Sequence, residues 1–396
     1  SAVTQAGVLI TATSNGIFSY VVDADSVDEI TALGFETGYF QAIDLYAMAL
    51  LPTTVTDAEI AGVVKYFERE KGATRNPTGS LEYYWRGRTD LVTPKIDAVD
   101  FSGATGLRLG WYGCTSLTSF PSGVDTSNVT TFENSWGGGL PMTSFPLLDT
   151  SSGTNFYSSW QSCSALTSFP LLNVSSGTDF RYAWNNGSSL TSFPALTFST
   201  DADDDIRFDF AWNGCSALTS FPALNLSRGV NFMDSWNGCA GLTSFPAVTF
   251  STHADDDINF TSAWKNCTQL ESFPALNLSR GTNFTETWRG CTDASFTSFP
   301  AVTFSTTASD DINFSGAWRD CTALTSFPAL DLSRGTTYYQ TWKACTSLVT
   351  WNTCTFSSDS GDSINFAHAW YGCTALTSFP SDVDMTRATS CDATWW

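Results

Sequence analysis

Asn277-Leu278-Ser279-Arg280-Gly281-Thr282-Asn283-Phe284-Thr285-Glu286-Thr287-Trp288-Arg289-Gly290-Cys291, closing on Thr297-Ser298-Phe299-Pro300, is one copy of a unit that returns at intervals of about 24–30 residues. Its tryptophan defines a column: Trp85, Trp111, Trp136, Trp160, Trp184, Trp212, Trp236, Trp264, Trp288, Trp318, Trp342, Trp370 and Trp395 all occupy it, leaving only Trp351 and Trp396 outside. A unit this short cannot bury its own apolar face, so it must stack on its neighbours as a solenoid. Phe284, Trp288 and Cys291 fall at i, i+4 and i+7, which predicts a short helix of about two turns with that face inward. The Leu-Thr-Ser-Phe-Pro step, as in Leu218–Pro222 or Leu324–Pro328, predicts a short parallel strand ended by a proline that cannot donate to a ladder. The following Ala-Leu-Asn-Leu-Ser or Ala-Val-Thr-Phe-Ser alternates apolar and polar residues and predicts a second extended side. The proline column breaks once, where Trp351 and Asn352 replace Phe and Pro, and a wider, locally different rung is expected there.

Burying a tryptophan removes on the order of 150–250 Å² from water, so the column is expected to be core. Nine of the eleven cysteines follow it by three positions: Cys114, Cys163, Cys215, Cys239, Cys267, Cys291, Cys321, Cys345 and Cys373. Cys354 and Cys391 also stand in columns that are apolar elsewhere. Packed thiols are the simplest reading, because buried cysteine behaves as a small hydrophobe. Bridges between adjacent rungs stay open on distance grounds, against the odd count and the gaps at Gly139 and Gly187. Zinc lacks a Cys-x-x-Cys pair and accompanying histidines.

In Asp125-Thr126-Ser127-Asn128-Val129-Thr130, followed by Phe132 and Trp136, and in the Gly-Cys-x-x-Leu step of other units, the chain resembles the BspA type of bacterial surface leucine-rich repeat. The resemblance runs from about Trp85 to Trp396, with Trp where the family has another aromatic, an added Phe-Pro step and acidic insertions. It implies a surface adhesion or recognition scaffold of cellular or viral origin. The expected fold class is therefore an α/β repeat solenoid: a leucine-rich-repeat-like, right-handed array of about 12 rungs over residues 81–396, behind a small α+β N-terminal cap over 1–80.

In that cap, Val8–Tyr20 and Gly38–Ala49 read as strands, and Thr56-Asp57-Ala58-Glu59 is a capping box opening an amphipathic helix to about Lys71. Asp44-Leu45-Tyr46 followed by Thr56–Ile60 is similar to the end of concanavalin-like lectin domains, a likeness limited to about residues 40–70.

The 396 residues carry a net charge of −21 and only 14% charged residues. Such a surface repels phosphate backbones and anionic membranes, so nucleic-acid binding is not expected. No stretch approaches the roughly 20 apolar residues of a membrane span, and membrane insertion is not expected either. The start, Ser1-Ala2-Val3-Thr4-Gln5, lacks the basic and long apolar regions of a signal peptide, so either an initiator methionine or a whole leader has been removed. Catalysis is not expected: His253 and His368 stand in unrelated columns, and no phosphate-binding loop, nucleophile elbow or metalloprotease helix occurs. Sequons at Asn225, Asn277, Asn283 and Asn313 read as by-products of the repeat unless the host glycosylates secreted proteins.

From Trp184 onward long and short units alternate. Long units carry Asp201–Asp205, His253–Asp257, Thr307–Asp311 and Asp359–Ser363, and short units carry Arg228, Arg280 or Arg334. Aligning the flanks puts Arg228 beside Asp204 and Asp256. A row of Arg–Asp pairs fixing the loops is one reading, each pair worth about 0–1 kcal/mol. Calcium held by Asp201, Asp203 and Asp205, and by Asp255 and Asp257 in the next long unit, is a second, since alternating carboxylates can converge oxygens on a hard cation. A partner-binding edge is the third, because insertions at one corner of a solenoid mark a working face.

These features predict a non-enzymatic extracellular or virion-surface recognition protein, such as a phage fibre or an adhesin, that contacts a protein or glycan on a cell surface. The alternative is a self-associating structural protein joined through its ends, with Trp395, Trp396 and Trp351 as interface residues, because exposed solenoid ends promote association.

Overall fold

The computed structural model describes residues 101–377 except 202, 254, 308–310 and 358–362, together with 79–81, 85–89, 386–394 and the backbone of 2–5, 8–12 and 18–21. The chain divides into two compact units: Ser1–Asn76 with Lys95–Asp100, and Pro77–Pro94 with Phe101–Trp396. In the first, strands Ala2–Gln5, Val8–Ala12 and Phe18–Val21 form an antiparallel meander, Ala2 opposite Thr11 and Leu9 opposite Val21. The single strand expected over Val8–Tyr20 is thus two. The second strand expected at Gly38–Ala49, the helix from Thr56 and the lectin-like stretch lie outside the described residues.

The second unit is a parallel β-solenoid of about 12 rungs. Three ladders join its rungs, the first along the whole array and the other two over its C-terminal two thirds. The longest passes through Ser80, Gly106, Thr131, Asn155, Asp179, Arg207, Asn231, Asn259, Asn283, Asn313, Thr337, Asn365 and Ser390, one residue per rung, five before that rung's tryptophan position. The second joins the Thr-Ser-Phe steps, from Ser192 to Ser272 and from Ser298 to Thr350. The third joins segments such as Asn225–Leu226 and Thr249–Phe250. The second and third are the two extended sides read from the sequence.

The helix is not there. No helix occurs among the described residues, and the α/β class with a short helix per rung is corrected to an all-β array. In the Trp288 rung the N–H groups of Phe284, Glu286, Trp288 and Gly290 donate to the carbonyls of Asn313, Ser315, Ala317 and Arg319 in the next rung, at 2.7–2.9 Å. Those of Thr287, Arg289 and Cys291 turn back three residues, to Phe284, Glu286 and Trp288. Alternate groups therefore serve the neighbouring rung and the local turn, leaving none for i→i−4 bonds. Positive φ at Glu286 (54°) and Gly290 (74°) resets the chain every four residues, so Phe284 and Trp288 share a face without a helix. Where asparagine opens the turn run it forms an Asx turn: the Asn283 side chain accepts the Thr285 N–H at 3.1 Å, and Asn155, Asn231, Asn259, Asn313 and Asn365 do the same for the residue two ahead.

Inside, three aromatic columns fill the array. Successive column tryptophans from Trp85 to Trp370 stack with centroids 4.7–5.8 Å apart and planes within 11°. A second column, from Phe132 to Phe366 with Tyr338 in line, stacks beside them. A third, from Phe120 to Phe327, is wedged edge-on against them: Phe221 meets Trp212 and Trp236 at 79° and 84°. Edge-to-face contact and offset stacking are both favoured aromatic geometries.

Candidate functional site

The acidic and basic corner forms, in altered chemistry. Arg228 donates from Nε to the backbone carbonyl of Asp204 at 3.1 Å, and Arg280 to that of Asp256 at 3.0 Å. Their own carbonyls accept the N–H of Ile206 and Ile258, so each arginine clasps the preceding rung at two points. The carboxylates are more distant: Asp205 and Asp257 stand 4.0 and 3.9 Å from the guanidinium and are 73% and 72% exposed. Pairs this exposed contribute little, and the loop is fixed by the backbone bond instead. Ser199, Ser251 and Ser305 tie the loop start by accepting the N–H of Asp201, His253 and Thr307. Ser251 also donates to the buried Asp256 carboxylate. Asp201, Asp203 and Asp255 are exposed, and among the described residues no three His, Cys, Asp or Glu side chains are grouped as a metal site.

Ten of the eleven thiols are buried, and all eleven are unbridged. Each column thiol donates to the carbonyl of the preceding rung's tryptophan, from Cys114 on Trp85 at 3.0 Å to Cys373 on Trp342 at 3.0 Å. Burial pushes Cys163, Cys215, Cys267 and Cys321 up to about 12, so they stay protonated donors.

The Trp351 rung is locally different in its ladder, since Asn352, unlike the proline it replaces, donates its backbone and side-chain N–H to the Phe327 carbonyl at 3.1 and 3.0 Å. Half-buried, Trp351 continues the third aromatic column, stacked on Phe327 at 4.9 Å and edge-on to Trp342 and Trp370. Trp395 and Trp396 lie outside the described residues.

One surface was missed by sequence reading. In every rung from Trp111 to Trp370 the backbone adopts positive φ twice, two residues before the tryptophan and two after. After it stand Gly113, Gly138, Ser162, Asn186, Gly214, Gly238, Asn266, Gly290, Asp320, Ala344 and Gly372, mostly residues that tolerate this conformation. Before it stand Leu109, Asn134, Ser158, Tyr182, Phe210, Asp234, Ser262, Glu286, Gly316, Gln340 and His368. Leu, Tyr, Phe, Glu, Gln and His there cost about 1–2 kcal/mol each. None of those six is buried core; each is half-exposed.

This column and its flanks form a strip along the array. Tyr182 and Phe210 stack at 4.7 Å and 4°, Tyr157 meets Tyr182 edge-on, and Arg181 lies 5.0 Å over the Tyr157 ring while its fork grips Asp179. Further on, Lys265 pairs with Glu286 at 2.6 Å, Arg289 with Glu286 at 2.6 Å and with Asp320 at 3.1 Å, and Arg319 with Asp320 at 3.4 Å. Burial pushes the Glu286 carboxyl up, but the hydrogen bonds and charges of Lys265 and Arg289 outweigh it and hold it below its ordinary value. Burial raises Asp234, against a bond from Asn237 and the charge of Lys265. Last come Tyr339 and Tyr371, each 41% exposed, with His368 edge-on to both and Lys343 over the Tyr371 ring at 5.4 Å. The signal that could have exposed the strip was the contrast between glycine-rich and glycine-poor columns two residues either side of the tryptophan.

No protein-family model and no curated protein matches the chain. Among solved structures it is similar to a leucine-rich repeat protein from Eubacterium ventriosum at 12% identity, the match covering 76% of this chain and 77% of that one with a TM-score of 0.36. A likeness this loose carries no assignment, and the solenoid rests on the chain's own ladders.

Proposed function

We propose that the array is a non-enzymatic recognition body whose working surface is the strip before the tryptophans. One observation carries this reading: the same strained backbone conformation occurs on both sides of each tryptophan, yet only the column after it is filled mostly by residues that suit it. Half-exposed aromatic and charged side chains are held there in an unfavourable conformation, and strain of this kind collects at binding sites. The Thr-Ser-Phe-Pro side, by contrast, is nearly identical from rung to rung and offers little specificity. The kinship with BspA-type leucine-rich surface repeats, read from Asp125–Thr130, Phe132 and Trp136, belongs to the same proposal. An extracellular or virion-surface location, and a protein or glycan partner on a cell surface, follow from that kinship.

The test is retention of the purified, labelled chain on intact bacterial cells, compared with a variant carrying Tyr157→Ser, Tyr182→Ser, Tyr339→Ser and Tyr371→Ser. Loss of retention at an unchanged melting temperature is expected. Retention equal to that of the parent chain would remove the strip from the account.

A further inference from the structure

Recognition by the strip makes no use of the cysteine column. In-register parallel rungs hold equivalent Cα atoms about 5 Å apart, inside the roughly 4.4–6.8 Å that a disulfide spans, so adjacent column thiols are placed within bridging range. The step from the Trp342 rung to the Trp370 rung is the tightest of those with a thiol on both sides. Trp342 and Trp370 stack at 4.9 Å, where the five steps from Trp212 to Trp342 measure 5.1–5.8 Å. Tyr338 and Phe366 stack at 5.0 Å, against 5.3–5.7 Å for the five steps from Phe208 to Tyr338. The Ala344 N–H pins the two backbones together by donating to the Tyr371 carbonyl at 2.8 Å. Beside that bond the Cys345 and Cys373 side chains meet in a hydrogen bond of their own. Cys373 is 6% exposed, whereas the other eight column thiols are 0–1% exposed.

We propose that Cys345 and Cys373 are a site of oxidative modification, which a peroxide converts into a disulfide joining the two rungs. The Cys373 thiol gives up its proton and its sulfur attacks one peroxide oxygen; the O–O bond breaks, the sulfur becomes a sulfenic acid, and the departing hydroxide takes the proton as water. The Cys345 sulfur then displaces the sulfenic hydroxyl, which leaves with the Cys345 proton as a second water. Two thiols are oxidised to one disulfide while one peroxide is reduced to two waters. Placement assigns the roles. Cys373 has the residual exposure, and peroxide is small enough to reach a thiol that bulkier reagents meet only on unfolding. Cys345 is fully buried, and burial, followed by the Cys373 side chain, pushes its thiol well up, so it waits protonated for the sulfenic acid. The bridge orphans no acceptor. The two thiols donate to the Trp318 and Trp342 carbonyls at 3.1 and 3.0 Å, and those carbonyls keep the N–H groups of Cys321 and Cys345 at 3.3 and 3.2 Å. The closed segment contains the Trp351 rung, which lacks the usual Phe-Pro step, and closing it restricts the opened chain.

Peptide mapping without reduction, on the full chain freed of reductant and treated while folded with stoichiometric hydrogen peroxide, tests this. A linked pair of peptides carrying Cys345 and Cys373, lighter than the two free peptides by two hydrogens, is expected. Hydrogen exchange in the Trp342 and Trp370 rungs should slow about tenfold or more once the link forms. Cys373→Ser keeps a donor for the Trp342 carbonyl, so the array stays folded, and it should lose both the linked pair and the slowing. Cys391→Ala removes the exposed thiol and should lose neither. Cys373 carried on to a sulfinic acid beside a free Cys345, Cys373 linked to any other thiol, both thiols unchanged while Cys391 is oxidised, or a link that leaves exchange as it was overturns the proposal.

Discussion

Replacing Trp264 probes what holds the rungs together. The side chain is fully buried, stacked on Trp236 at 5.3 Å and Trp288 at 5.8 Å, and edge-on to Phe245 and Phe273. Truncation to alanine removes an indole from the middle of three aromatic columns, at roughly 3–5 kcal/mol. The indole Nε1 has no hydrogen-bond partner, so Trp264→Phe loses ring volume and no hydrogen bond. Leaving a buried donor unpaired costs about 1–3 kcal/mol, which phenylalanine recovers in part. The expected cost of Trp264→Phe is therefore only about 1–2 kcal/mol. Urea titration followed by far-ultraviolet circular dichroism measures both, and hydrogen exchange should place the loosening in the rungs flanking Trp264, since each rung contacts only its neighbours. A phenylalanine variant as unstable as the alanine variant would refute the reasoning, as would an alanine cost below about 1 kcal/mol.

Iodoacetamide at pH 8 should label Cys391, the one exposed thiol, and leave the ten buried ones until the chain is unfolded; mass spectrometry counts the adducts. Gly238→Ala, where a methyl meets nothing closer than 3.8 Å, should cost about 1 kcal/mol from its positive φ alone. Gly229→Ala drives a methyl into the Phe232 ring and should cost roughly 1–3 kcal/mol, read from the same urea curves. Because Glu286 titrates below its ordinary value of 4.5 when folded, its contribution is present above that value and lost as pH falls through the lowered one. Glu286→Gln should therefore flatten the acid limb of the stability profile and leave its slope near pH 7 unchanged. A chelator should not move the melting temperature, since Asp205 and Asp257 face arginines and no metal group forms among the described residues.

Much of the array was legible because its period is. The tryptophan column, the inward face of Phe284, Trp288 and Cys291 and the two extended sides all follow from spacing and polarity. The helix failed because residues four apart share a face in a run of four-residue turns as well as in a helix, and apolar periodicity does not separate the two. What separates them is the glycine or asparagine two residues after the tryptophan, a left-handed position that a helix interior disfavours. Alignment put Arg228 beside Asp204 correctly, but spacing cannot reveal that the acceptor is the Asp204 carbonyl and not a carboxylate. The strip was invisible for a similar reason, because Tyr182 and Phe210 look like ordinary surface aromatics until their φ of 57° and 56° is known.

The most direct test of the account is the stability and cell retention of one double variant, Tyr182→Asn with Phe210→Asn. Asparagine suits the left-handed backbone and relieves about 1–2 kcal/mol at each site, while the lost ring pair forfeits about 0.5–1.5 kcal/mol and some half-buried area. The account predicts a folding stability within about 1 kcal/mol of the parent together with loss of retention on intact bacterial cells. A fall of 3 kcal/mol or more with cell retention kept by the folded fraction would contradict it, showing that the two rings serve packing and not recognition.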